Sequence, residues 1–188
     1  TLSSSSAASD VYKRQQSTCY LAFLAAALDR KSGLFRNFMS HGREWLEDAG
    51  SEDSHGRALW GLGSGVGRSR NEGHQRLAAQ IFELGLAAVE NFTSPRAWNF
   101  TLLGIHEYQR RFPHEEKTSR LRGVLVEKLI KLWGEYSTED WPWFEASLTY
   151  DNARFSQAMI LSGASMQHEV ALAMGLRSLG WLASILSL

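Results

Sequence analysis

Apolar residues recur at three- and four-residue spacing through most of the chain, the period of a helix with a buried face. Tyr20, Phe23, Leu24, Ala27 and Leu28 predict a helix over residues 16–30. A capped start at Ser51 or Asp53 predicts another from about Ser54, with Ala58, Leu59 and Leu62 inward. Residues 71–92 carry two stripes, Leu77/Ile81/Leu84/Ala88/Phe92 and Phe82/Leu86/Val89, which implies burial on two sides. Ser94-Pro95 opens the next helix, with Trp98, Leu102, Ile105 and Phe112 inward and Pro113 as its stop. Residues 115–136 are the most regular, through Leu121, Val124, Leu125, Leu129, Leu132, Trp133 and Tyr136. Helices over 152–166 and 167–188 follow, and the last reads as a buried helix because it is apolar nearly all round.

Two stretches break the pattern. Residues 31–50 are irregular, with 34–39 as a candidate strand or extended segment. Residues 1–15 (TLSSSSAASDVYKRQ) lack periodicity and resemble translated linker sequence from assembled environmental DNA, so they are set aside as an artefactual or disordered leader. Short connections between alternating helices predict an all-α array of antiparallel αα-hairpins over 16–188. The glycines at 61, 63, 65 and 67 predict either close helix packing or a helix end near Ser64.

Composition narrows the function. Net charge is zero with 20 basic and 20 acidic residues, which disfavours nucleic acid or an anionic membrane as partner. The single cysteine, Cys19, excludes an internal disulfide and a cysteine-rich zinc site. The six histidines show no metal-ligand spacing, and no glycine-rich phosphate loop follows a strand. No metal and no cofactor are expected. Lys13-Arg14 before residues 20–27 only weakly imitates a secretory signal, and a cytoplasmic location is expected.

The chemistry concentrates in two loops. Residues 141–152 (WPWFEASLTYDN) offer Trp141, Trp143 and Phe144 as a platform and Glu145, Tyr150, Asp151 and Asn152 as polar groups. Residues 51–63 (SEDSHGRALWGLG) place Glu52, Asp53, His55, Arg57 and Trp60 at a helix start. Aromatic faces cover the C–H faces of a pyranose while carboxylates and amides hold its hydroxyls. The pattern therefore points to a carbohydrate partner. Paired carboxylates are the minimum for most glycoside cleavage. Glu145, flanked by aromatics, is the candidate acid, and Asp53 or Asp151 the candidate base. Each group also has a plain reading: Asp151 or Asn152 as a helix cap, Asp53–Arg57 as a structural ion pair, and the aromatics as core. SEDSHGRALW and TYDNARFSQAM both set an acidic turn at a helix start, as equivalent helices of repeated hairpins would.

Taken together, FRNFM, REWLEDAGSEDSHGRALWGLG and WPWFEASLTYDNARFSQAMILSG resemble the (α/α)6 helical domain of the six-hairpin glycosidase superfamily. The resemblance is narrower toward bacterial proteins in which such a domain is associated with a group 1 glycosyltransferase. It implies a carbohydrate-active toroid, represented here in part by about seven helices. Ala146 stands where that pattern has an acidic residue, and the Gly-rich 61–67 segment departs from its alanine-rich helix. The resemblance leaves three functions open: acid/base cleavage, non-catalytic sugar recognition beside a glycosyltransferase domain, and a helical-repeat protein-binding module.

Overall fold

A computed structural model describes residues 3–186. Among them are seven α-helices: α1 (Ser3–Ala27), α2 (Glu52–Arg68), α3 (Glu72–Leu86), α4 (Pro95–Tyr108), α5 (Glu116–Tyr136), α6 (Ala153–Met166) and α7 (Glu169–Leu186). The molecule is an all-α array, as the periodicity predicts. The 34–39 segment forms no strand; isolated antiparallel bridges, Leu28 with Phe35 and Met39 with Trp45, fold residues 28–50 into two tight turns.

Caps mark the helix starts. Ser51, Asn71 and Ser94 accept hydrogen bonds from the backbone of Ser54, His74 and Ala97, satisfying N–H groups the helix itself leaves open. Glu115 caps α5 through Lys117 and Thr118. α3 ends earlier than expected, at Leu86, and tightens into a 3-10 turn over Ala87–Asn91. α1 is helical from Ser3, so its first half runs through the stretch set aside as a leader. Thr1, Leu2, Ser187 and Leu188 lie outside the described residues.

α4 lies between α2 and α6, and α3, α5 and α7 pack against these three. Close approach of α2 and α4 explains the glycines. A Cβ on Gly63 would sit 2.1 Å from the Gly104 carbonyl oxygen, and one on Gly67 at the same distance from that of Glu107. Of the two readings of this segment, close packing holds, and α2 continues to Arg68.

The core gathers Leu59, Leu62, Phe82, Phe100, Leu125, Trp143 and Phe155. Several expected core positions are exposed instead: Tyr20, Phe23, Leu77, Leu84, Phe112, Val124 and Tyr136. Leu77 and Leu84 face the side of α3 that α1 covers only in part. α7 also departs from expectation. Val170, Leu176, Leu179 and Leu186 are exposed, so it is not a buried helix. By length and composition alone, Glu169–Leu186 could cross a membrane, with mean hydropathy 1.3.

Candidate functional site

The site forms where the first turns of α2, α4 and α6 lie side by side. Residues 51–63 are no loop but the N-cap and first turns of α2, and because α2 and α6 flank α4 they meet the 141–152 loop entering α6 over the start of α4. Two contacts join them directly. Arg57 Nη2 donates to Asp151 Oδ2 at 2.5 Å, and the Tyr150 hydroxyl donates to Asp53 Oδ2 at 2.7 Å. Arg57 also approaches Asp53, with Nε 3.8 Å from Oδ2. Its guanidinium stands 4.2 Å above the Phe100 ring, and Phe100 stacks on Trp60 at 6.0 Å and 10°. Arg154 covers Trp60 at 4.6 Å.

Arg96 is the hub of the deeper half. Only 8% exposed, it donates through Nη1 to Glu145 Oε1 (2.7 Å), through Nε to the Tyr150 carbonyl (3.1 Å) and through Nη2 to Asn152 Oδ1 (3.4 Å). It also lies 4.7 Å from the Tyr150 ring and 5.3 Å from that of Phe155. Glu145 Oε2 is buried and has no protein partner. Glu52 accepts from the Thr93 and Ser94 N–H groups at 2.8 and 2.6 Å, which ties α2 to the start of α4.

The structure thus brings together Asp53, Arg57, Glu145, Tyr150, Asp151 and Asn152, with Trp60 at their edge. Asn152 takes the N-cap position of α6 without a side-chain cap bond; its amide oxygen accepts from Thr149 and Arg96 instead. Asp151 is no cap either. It sits at φ +51°, an uncommon conformation for a residue with a Cβ, which leaves its carboxylate facing Arg57.

Three predicted sugar contacts are corrected. His55 is 1% exposed and bonded at both ring nitrogens, receiving the Phe35 N–H at Nδ1 (3.4 Å) and reaching the Gly85 carbonyl from Nε2 (2.9 Å). It lies between the Phe35 and Phe92 rings, and burial lowers its pKa from 6.5 to about 4. It is a core histidine that ties the 28–50 turns to α3. Trp143 is fully buried against Phe144, Phe155 and Trp181. Trp141 packs edge-on to Trp181 and donates to the Glu145 carbonyl (2.8 Å), so it shapes the loop rather than presenting a face. The aromatic platform is therefore core, while Tyr150, half exposed at 50%, is the loop's outward ring.

Arg96, Phe100 and Arg154 were not singled out from the sequence. One signal pointed to Arg96: a cation in the first turn of a helix opposes the dipole, which asks for a carboxylate nearby. Beside the cluster, a cleft of about 700 Å³ opens between α1 and α2. Tyr20, Phe23, Leu24, Ala58 and Gly61 line it, and Arg57 belongs to both the cleft and the cluster. Its size is that of a small-molecule site. No protein-family model, curated protein or solved structure matches the chain.

Proposed function

We propose that the chain is a carbohydrate-recognition domain of the (α/α)-toroid type, acting beside a glycosyltransferase rather than as the catalyst. The supporting observation is the meeting of the first turns of α2 with the 141–152 loop through Arg57–Asp151 and Tyr150–Asp53. It puts two carboxylates, a guanidinium and a phenol at the edge of a cleft with exposed rings at Tyr20 and Phe23. Sugar hydroxyls fit the former and pyranose C–H faces the latter.

Recognition fits better than cleavage for a specific reason. A general acid must reach the glycosidic oxygen. Glu145 gives one oxygen to Arg96 and has the other enclosed, and Asp53 is held by Tyr150 and Arg57. Two carboxylates committed to separate partners suit a rigid binding surface. The acid/base reading keeps one favourable observation, that Glu145 Oε2 accepts from no protein donor.

Calorimetric titration of an oligosaccharide panel tests the proposal. Binding is expected to weaken about tenfold, close to 1.4 kcal/mol, in Phe23→Ala and in Arg57→Met. Glu145→Gln is expected to bind like the parent. Folded protein that binds nothing across the panel would remove the carbohydrate reading. Turnover that disappears in Glu145→Gln would replace recognition with cleavage.

A further inference from the structure

At the other end of α4 and α6, about 15 Å along the helices from Arg96, a second arginine is buried without a counter-charge. Arg122 of α5 is 2% exposed. Its Nη1 donates to the Ser165 hydroxyl of α6, while Nε and Nη2 are buried with no protein acceptor. Among the described residues no carboxylate lies within ion-pair distance of it. Glu107, which follows His106 on α4, is committed to Arg68 and Arg110. Burial lowers the Arg122 pKa to about 10, which still leaves it charged at neutral pH.

An enclosed cation with a single hydroxyl partner is costly. Desolvation of an unpaired ion amounts to several kcal/mol after relaxation, and a guanidinium does not escape by losing its proton. The negative ends of α4 and α6 offset part of this through their dipoles. Yet none of their carbonyls accepts from Nε or Nη2. Further buried polar groups lack partners on the same helix faces. Ser162 lies three residues before Ser165, and its hydroxyl is unpartnered. Asn99, whose amide atoms are also unpartnered, lies two turns before His106, about 10 Å along α4, and belongs to a separate spot. His106 itself is pushed toward the neutral form, by burial first and then by Arg122, so it adds a dipole rather than a second cation.

We propose that Arg122 holds a small monovalent inorganic anion, of about the size of chloride, inside the junction of α4, α5 and α6. Nε and Nη2 of Arg122 are its principal donors, and the Ser162 hydroxyl, one turn before Ser165 on α6, is the adjoining unpartnered group. Enclosure sets the size, because each of these atoms is sealed from solvent and no phosphate- or carboxylate-bearing ligand can enter. Water would satisfy the same donors but brings no charge. The site is independent of the Arg57–Tyr150 cluster.

Melting of the full chain in sodium chloride and in sodium gluconate, at equal ionic strength and pH, tests the proposal. The melting temperature is expected to be several degrees higher in chloride, because a ligand that binds only the folded state stabilises it by mass action. Bromide is expected to substitute. ³⁵Cl line broadening by the folded protein, reversed by bromide, reads the same site directly. Arg122→Met is expected to abolish both effects, while the exposed-surface control Arg76→Met keeps them. Equal melting temperatures of the parent in the two salts would overturn the proposal, as would a full chloride effect in Arg122→Met. If Arg122→Met does not fold, the parent comparison and the ³⁵Cl line width decide by themselves.

Discussion

The Tyr150 hydroxyl donates to Asp53 Oδ2 at 2.7 Å across 97 positions of sequence, and this bond closes the 141–152 loop on the first turn of α2. Burial first, and then the bond to Asp53, raise the Tyr150 pKa above its ordinary value. Both partners keep solvent contact, so the bond is worth about 1 kcal/mol, near the usual net value for such a pair. A double-mutant cycle of Tyr150→Phe and Asp53→Asn is expected to return a coupling of that size. In Asp53→Asn the phenol is expected to titrate at lower pH than in the parent, followed by its ultraviolet band. Strict additivity of the two substitutions would mean that the two segments are held together without this bond.

Arg96 and Glu145 carry more weight than the outer pair. Arg96 is nearly buried and Glu145 mostly so, with side-chain exposures of 9% and 22%. Removing one partner of a buried pair strands the other charge, at a cost of about 3 kcal/mol or more. Arg96→Met is therefore expected to lower stability in urea melts by that order, with loss of order in residues 141–152. The Arg57–Asp151 pair is exposed, and Asp151→Asn is expected to cost about 1 kcal/mol at most. Similar losses in both variants would contradict the ranking.

Much of this arrangement was readable beforehand. Ser94-Pro95 marks the start of α4 through local chemistry, and of the two caps open for α2 it is Ser51 that is observed, with the helix starting at Glu52 rather than near Ser54. The acidic turns at the starts of α2 and α6 drew attention to both helix starts, and the two starts do lie side by side. What could not be read depends on which helix lies between which. Arg96 matters because α4 lies between α2 and α6, a relationship that no local pattern encodes. Trp143 and Tyr150 are both aromatics of one loop, yet one is sealed and the other half exposed. Composition is blind to that difference. His55 sat among charged neighbours, and its burial follows from α2 turning that face to Phe35 and Gly85.

The two kinds of glycine on this fold separate cleanly. A Cβ on Gly63 would lie 2.1 Å from the Gly104 carbonyl oxygen, a backbone atom that cannot yield without moving α4. Gly63→Ala is expected to cost about 3 kcal/mol, the upper end of overpacking effects. Gly134 on α5 meets nothing within 4 Å of an added Cβ. There alanine restricts the unfolded chain and is expected to stabilise by about 0.5–1 kcal/mol. Thermal melts of the two variants in opposite directions are the expected result, and a neutral Gly63→Ala would show that α2 and α4 can separate freely.

His55 links this packing to pH. Its folded-state pKa is near 4, against 6.5 when unfolded. Between those values the unfolded chain binds a proton that the folded chain refuses, so stability rises with pH across that window. Its contribution is complete above about pH 6.5 and is lost progressively as pH falls toward 4. The full loss is on the order of 3 kcal/mol. Glu52, the one carboxylate that acts on the ring, favours the protonated form but is outweighed by burial. Burial also lowers the pKa of His106, which adds a slope of the same sign, so the share of His55 is read as the difference between the parent and a His55 variant from pH 6.5 to 5. Over it the parent is expected to lose stability steadily in urea melts. His55→Gln, which retains a donor and an acceptor but does not titrate, is expected to start lower and fall less steeply, keeping only the slope that His106 contributes. Parallel slopes for the two proteins would place the acid sensitivity somewhere other than the Phe35–His55–Gly85 contact.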